Sequence, residues 1–93
     1  MNQILGEIRL IAWDDIPVGW MKCEGQFLEM NEYPKLYMMI GSKFGQEGRF
    51  RFALPDLREK APPGMIYCIA AEGELPRLNE QEEKNQKSGG QEK

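Results

Sequence analysis

Short apolar or alternating runs are separated along the chain by glycine, proline and acidic residues, a pattern typical of short strands joined by turns. The runs that predict strands are residues 4–12, 20–23, 26–30, 50–54 and 65–71. Residues 65–71 are apolar throughout, so this strand is expected to be the most buried. Glu24 and Gly25 separate the second and third runs, and because glycine accepts a positive φ they predict a tight hairpin.

One segment has helical spacing instead. Leu36, Met39 and Ile40 would share one face of a helix, Pro34 suits its first turn, and Gly41 stands where a C-terminal cap glycine belongs. A helix over about residues 33–40 is too short to be stable alone, so it must pack on the strands. Together the elements predict an α+β domain with a small, mostly antiparallel sheet and one short helix.

The apolar pattern stops at Leu78. Residues 79–93 are Asn, Glu, Gln, Lys, Ser and Gly, a composition that buries too little surface to offset the entropy of ordering. The sequence therefore predicts a folded domain over residues 1–78 and a disordered polar tail over 79–93. A domain of this size buries only about 60% of its unfolded surface, so its stability should be modest unless it associates.

Charge and composition exclude several classes of protein. The 93 residues carry a net charge of -3, which disfavours nucleic acid as a partner because phosphate binding requires a positive surface. No apolar stretch approaches the 18 or so residues of a membrane span, and the start lacks the basic and long apolar regions of a secretory signal. The chain has no histidine and two cysteines, so the usual zinc clusters are absent and no metal or cofactor is expected.

Cys23 and Cys68 both lie in strand-like surroundings, which favours two small reduced core residues. A disulfide between them is the alternative and would imply an oxidising compartment. A nucleophilic role is disfavoured because the chain offers no histidine to act as the base.

Trp13, Asp14 and Asp15 form the candidate binding segment. Neighbouring carboxylates on an extended chain point to opposite faces, so this pair suits a solvated turn better than acid–base catalysis. Aromatic residues beside carboxylates can bind sugars, and Trp13 is the better surface candidate. Trp20 follows a glycine and precedes a strand, so we expect it in the core.

The run from Phe50 to Arg58 predicts a strand with a fixed ending. Phe50, Phe52 and Leu54 would share one face, and Pro55 ends the strand. Asp56 can then accept hydrogen bonds from the following backbone amides, and Arg58 can bind carbonyls of a neighbouring loop or pair with an acid. These roles favour a structural interpretation over catalysis.

Several motifs follow one another in a fixed order. They are Gly6-Glu7-Ile8-Arg9-Leu10, Gly19-Trp20, Cys23-Glu24-Gly25-Gln26, Ile40-Gly41, a glycine-punctuated loop, Phe52-Ala53-Leu54-Pro55-Asp56-Leu57-Arg58, and Tyr67-Cys68-Ile69-Ala70. In this order they resemble the phage tail collar domain, which also occurs in small bacterial microcystin-dependent proteins. The resemblance gives Trp20, Cys23, Gly25, Phe52, Pro55, Asp56, Arg58 and Cys68 as the residues of its structural motif.

The chain departs from that family after Arg58. The family usually continues with a glycine and, in longer members, with a Gly-rich, His-containing region before the last strand; this chain has Glu59 and a short Pro-rich connection. In phage short tail fibres that region intertwines chains, coordinates metal and contacts the host receptor. Its absence argues against all three and leaves a minimal collar module.

The resemblance implies a non-enzymatic structural or assembly module of a phage or prophage tail, made in the bacterial cytoplasm and carried in the virion. Its expected partners are other tail proteins or further copies of itself, trimers included. The alternative is a bacterial carbohydrate- or surface-binding module that contacts a host glycan through Trp13 and its turn. A small hydrolase is disfavoured because no credible carboxylate constellation exists.

Overall fold

The computed structural model describes residues 3–77, and the tail predicted over 79–93 lies outside the described residues. Within that part the chain forms short strands and one helix. In order they are β1 (Ile8–Ile11), β2 (Trp20–Lys22), β3 (Phe27–Glu29), α1 (Pro34–Ile40), β4 (Gln46–Glu47), β5 (Arg51–Ala53) and β6 (Ile66–Ala70). The α+β class, the antiparallel pairing and the single short helix are confirmed.

The strands divide between two three-stranded sheets, ordered β1-β6-β2 and β3-β5-β4. The most apolar strand, β6, lies between β1 and β2, as its continuous hydrophobic run predicts. The second sheet includes β4, which lies inside the loop that follows α1. Its Gln46 pairs with Phe52 of β5. With only two residues, β4 carries no detectable periodicity in the sequence.

The predicted hairpin between β2 and β3 is wrong. Lys22 of β2 pairs with Cys68 of β6, whereas Leu28 of β3 pairs with Phe52 of β5. The Gln26 side chain accepts a hydrogen bond from the backbone of Glu24 and donates one to the carbonyl of Lys22, at 3.1 and 2.9 Å. These bonds hold the chain bent at a corner, where β2 and β3 enter different sheets instead of folding back on each other.

The core lies where the two sheets and the helix meet. Leu36 holds α1 against it, and the ring of Tyr37 lies 5.2 Å from that of Phe52. The fully buried side chains with the largest volumes are Phe52, Leu36, Leu54, Ile69 and Cys68. Cys68 lies on the other face of the first sheet, whereas the other four belong to one continuous hydrophobic cluster that joins the two sheets.

Phe50 does not join this core. It precedes β5 in the turn after β4, and 69% of its surface is exposed. Extending the strand's alternation to Phe50 was wrong because regular pairing starts only at Arg51, where the β4–β5 hairpin closes. No helix within residues 3–77 is long and apolar enough to cross a membrane.

Candidate functional site

Two of the motifs that resemble the collar family, residues 23–26 and 52–58, meet at the corner between the sheets. Gly25 donates a backbone hydrogen bond to the carbonyl of Pro55 at 3.2 Å, and Leu57 donates one to the carbonyl of Cys23 at 2.9 Å. Glu24 and Asp56 thus form an isolated antiparallel bridge. Gly25 has φ +76°, and a Cβ there would lie 3.2 Å from the Cβ of Asp56, so both the backbone conformation and the close approach require glycine.

Arg58 binds the carboxylate of Asp56 at two points. Its Nη2 lies 2.7 Å from Oδ2 and its Nε 2.9 Å from Oδ1, while its backbone amide donates to Oδ1 at 3.3 Å. The side-chain bond from Arg58, then its amide, lowers the pKa of Asp56 from 3.8 to about 2, and Asp56 raises the pKa of Arg58. Both side chains are about half exposed, at 48% and 62%, so water screens the pair.

The structure leaves Cys23 and Cys68 as free, buried thiols. Cys68 pairs with Lys22 in the sheet, so Cys23, the next residue, points to the opposite face. Cys23 belongs to the core cluster, and burial, followed by the nearby Cys68, raises its pKa to about 12. Burial also raises the pKa of Cys68. Both therefore stay protonated at neutral pH, where a thiol is a weak nucleophile.

On the face of the first sheet away from the core, two tryptophans border a cavity of about 130 Å³. Trp20 is half-buried here instead of in the core, because it pairs with Ala70 on the face that carries Cys68. Its ring lies 5.5 Å from the guanidinium of Arg9. The cavity lining is Arg9, Ile11, Trp13, Pro17, Trp20 and Cys68. We call this set the tryptophan cavity.

Asp14 and Asp15 are exposed and follow Trp13, but neither lines the cavity. Within residues 3–77 neither carboxylate makes an ion pair. The same part of the chain contains no group of three or more His, Cys, Asp or Glu residues that could hold a metal ion. Sugar binding by Trp13 and these carboxylates stays a prediction.

A second exposed feature was missed by the sequence analysis. The turn of the β4–β5 hairpin presents Arg49 and Phe50 after Gly48, whose φ is +64°. Phe50 is fixed at its backbone, since its carbonyl accepts a hydrogen bond from Met30 at 2.8 Å, while its side chain is exposed. The signal available in the sequence was Gly48, a residue that favours turns, two positions before Phe50. We call Arg49 and Phe50 the hairpin tip.

Comparison with known proteins agrees with the motif order. The family model described as the Phage Tail Collar Domain matches residues 6–62. Protein RhiB of Rhizobium leguminosarum bv. viciae is similar, at 37% identity over 43 residues that cover 43% of this chain and 20% of RhiB. The chain thus matches only a fifth of the length of that relative. No solved structure matches it.

The family match runs from the strand that starts the first sheet to just beyond the Asp56–Arg58 turn and includes both sides of the corner. It covers more than half of the 93 residues. The chain therefore belongs to the phage tail collar domain family, whose domain is a structural part of phage tails.

Proposed function

We propose that the chain is a non-enzymatic assembly module of a phage or prophage tail, which joins other tail proteins or further copies of itself. One observation carries the proposal: the family's motif residues close the corner between the two sheets and are engaged with one another. Asp56 is held by Arg58, and Gly25 packs against Asp56. Because these residues contact one another, they stabilise the fold, and partner proteins would bind through other, exposed residues.

The surface of the described residues supports contact with partner proteins. Eleven large apolar side chains within residues 3–77 are exposed, and exposed apolar surface is what a partner protein can cover on binding. They are Ile4, Ile8, Leu10, Trp13, Val18, Phe27, Met38, Phe44, Phe50, Met65 and Leu75. Partners that cover part of this surface, including a trimer of the chain, would also supply stability that a small domain lacks alone.

A catalytic function has less support. The thiol of Cys23 has its pKa raised to about 12, so it is not an activated nucleophile. Asp14 and Asp15 are exposed, and neither makes an ion pair within residues 3–77.

The proposal is tested in the phage or prophage that encodes the chain. Its gene is deleted, particles are purified, and tails are examined by electron microscopy, with plasmid-borne wild-type protein as the complementation control. We expect incomplete or non-infectious tails and, by mass spectrometry, the chain among the proteins of complemented particles. Normal tails without the gene, together with its absence from wild-type particles, would contradict the proposal.

Glycan binding is the second candidate, and the exposure of Trp13 favours it: the residue is 54% exposed, and an exposed indole can stack on a sugar. A glycan array with wild-type protein and Trp13→Ala tests it. Phe27→Ala removes another aromatic ring, 45% exposed and on β3, and serves as the matched control. Sugar binding lost only in Trp13→Ala would support this function.

A further inference from the structure

We propose that copies of this chain associate head to tail, with the hairpin tip of one copy docked into the tryptophan cavity of the next. This inference rests on the proposed assembly function and names the surface through which a second copy binds. The two features belong to different sheets: the tip ends the β4–β5 hairpin, and the cavity lies on the outer face of the β1-β6-β2 sheet. An interface between unlike surfaces is heterologous.

The hairpin tip presents an aromatic side chain that is suited to insertion into a cavity. Phe50 has 69% of its surface in solvent, more than any other aromatic residue of the described chain. Its backbone is held by the bond from Met30 and by the adjacent pairing of Glu47 with Arg51. Because this backbone is already fixed and a phenyl side chain has few rotatable bonds, burying it costs little further conformational entropy, as in other aromatic interface anchors.

The tryptophan cavity has the size and chemistry to receive one such ring. Its volume of about 130 Å³ is below the roughly 300–1,000 Å³ of pockets that enclose small-molecule ligands. Its lining is mainly apolar and aromatic, and Trp13 at its border is 54% exposed, so an incoming phenyl ring could pack against an indole. The one charged side chain of the lining, Arg9, already lies against the Trp20 ring.

Charge complementarity identifies the occupant as another copy. Arg51 is paired with Glu29 at 2.9 Å and Glu47 at 3.1 Å, whereas Arg49 makes no ion pair within residues 3–77. Asp14 and Asp15, which follow Trp13, are likewise unpaired in that part of the chain. Docking therefore brings the guanidinium of Arg49 towards the carboxylates of Asp14 and Asp15. Complementary charges of this kind fix orientation and speed association.

A complementation experiment distinguishes this interface from all others. A tip variant, Arg49→Glu with Phe50→Ala, keeps an intact cavity. A cavity variant, Trp13→Ala with Asp14→Lys, keeps an intact tip. All four side chains are exposed, so both variants should fold, which circular dichroism checks. Lys35→Glu with Met38→Ala, an exposed pair on α1, is the matched control.

Sedimentation velocity measures the association of each protein. We expect wild type and the α1 control to form concentration-dependent oligomers, and each interface variant alone to associate at least about tenfold more weakly. An equimolar mixture of the two variants should form dimers but nothing larger, because only one intact tip–cavity pair exists. Raising salt from about 50 mM to about 500 mM should weaken wild-type association, since the charges are exposed.

Three outcomes would overturn the inference: a wild-type chain that stays monomeric, interface variants that associate as wild type does, or a variant mixture that forms no dimer. A monomeric chain that is nevertheless present in virions would remove this interface and leave the assembly function standing. A self-associating chain that is absent from virions would remove the assembly function and leave this interface standing.

Discussion

At the scale of single residues, Asp56 links the fold to pH. Its pKa falls from 3.8 to about 2 because Arg58 stabilises the carboxylate. A group whose pKa is depressed on folding contributes stability above its unfolded pKa, and that contribution is lost as the pH falls from about 4 towards 2. We expect Asp56→Asn to lower the thermal midpoint slightly at neutral pH and to flatten its decline over this acid range.

Thermal unfolding followed by circular dichroism across that range is the measurement. Asp14→Asn is the control, because Asp14 is an exposed carboxylate without an ion-pair partner in residues 3–77. Arg58→Lys should preserve only part of the effect, since an ammonium cannot contact both carboxylate oxygens as a guanidinium does. If the thermal midpoint of Asp56→Asn fell as steeply with acid as that of wild type, the decline would be due to other titrating groups.

The two thiols give a second prediction at this scale. Cys23 and Cys68 are 2% and 0% exposed, and burial raises both pKa values. We expect Ellman's reagent to label neither thiol of the native protein at pH 8 on a timescale of minutes, and both after unfolding in guanidinium chloride. Rapid labelling of the native chain would mean that the first sheet opens readily, since β6 and the end of β2 must separate to expose them.

At the scale of elements, β5 and the turn before it offer a matched pair of phenylalanines. Phe52 is fully buried in the core, whereas Phe50, two residues earlier, is 69% exposed at the hairpin tip. Phe52→Ala should reduce the free energy of unfolding by about 3–5 kcal/mol if its cavity does not collapse. Phe50→Ala should change it by about 0.5 kcal/mol or less. Urea denaturation at a concentration where both proteins are monomeric compares them, and equal losses would mean that the hairpin tip is packed in solution.

Local pattern accounts for most of these elements. The helix was predicted within a residue of α1, because Pro34 and Gly41 limit a segment with clear apolar spacing. Apart from β4, strand positions were also near those observed, because an alternating or continuous apolar run marks each of them locally. Pairing was not predictable in the same way: whether the chain at Gly25 folds back or turns a corner depends on the backbone of Pro55, thirty residues away in the sequence. The cavity depended likewise on which face of β2 carries Trp20.

At the scale of the whole molecule, the corner joins two three-stranded sheets, each too small to bury a sizeable core alone. The residues that meet there come from two distant parts of the sequence, joined by the bridge between Glu24 and Asp56. Because this contact joins distant parts of the chain, we expect the two sheets to unfold together. Substitutions at the corner should therefore change global stability instead of loosening one loop.

Gly25→Ala tests this directly. Any side chain at φ +76° is strained, at a cost of about 1–2 kcal/mol, and the new Cβ would also lie 3.2 Å from that of Asp56. Gly64→Ala is the matched control, because Gly64 has a similar φ of +82° but nothing within 4 Å of its Cβ position. We expect both variants to lose stability in urea denaturation and Gly25→Ala to lose more, still in one transition. Equal losses would reduce the role of Gly25 to backbone conformation, and two separate transitions in Gly25→Ala would show that the sheets unfold independently.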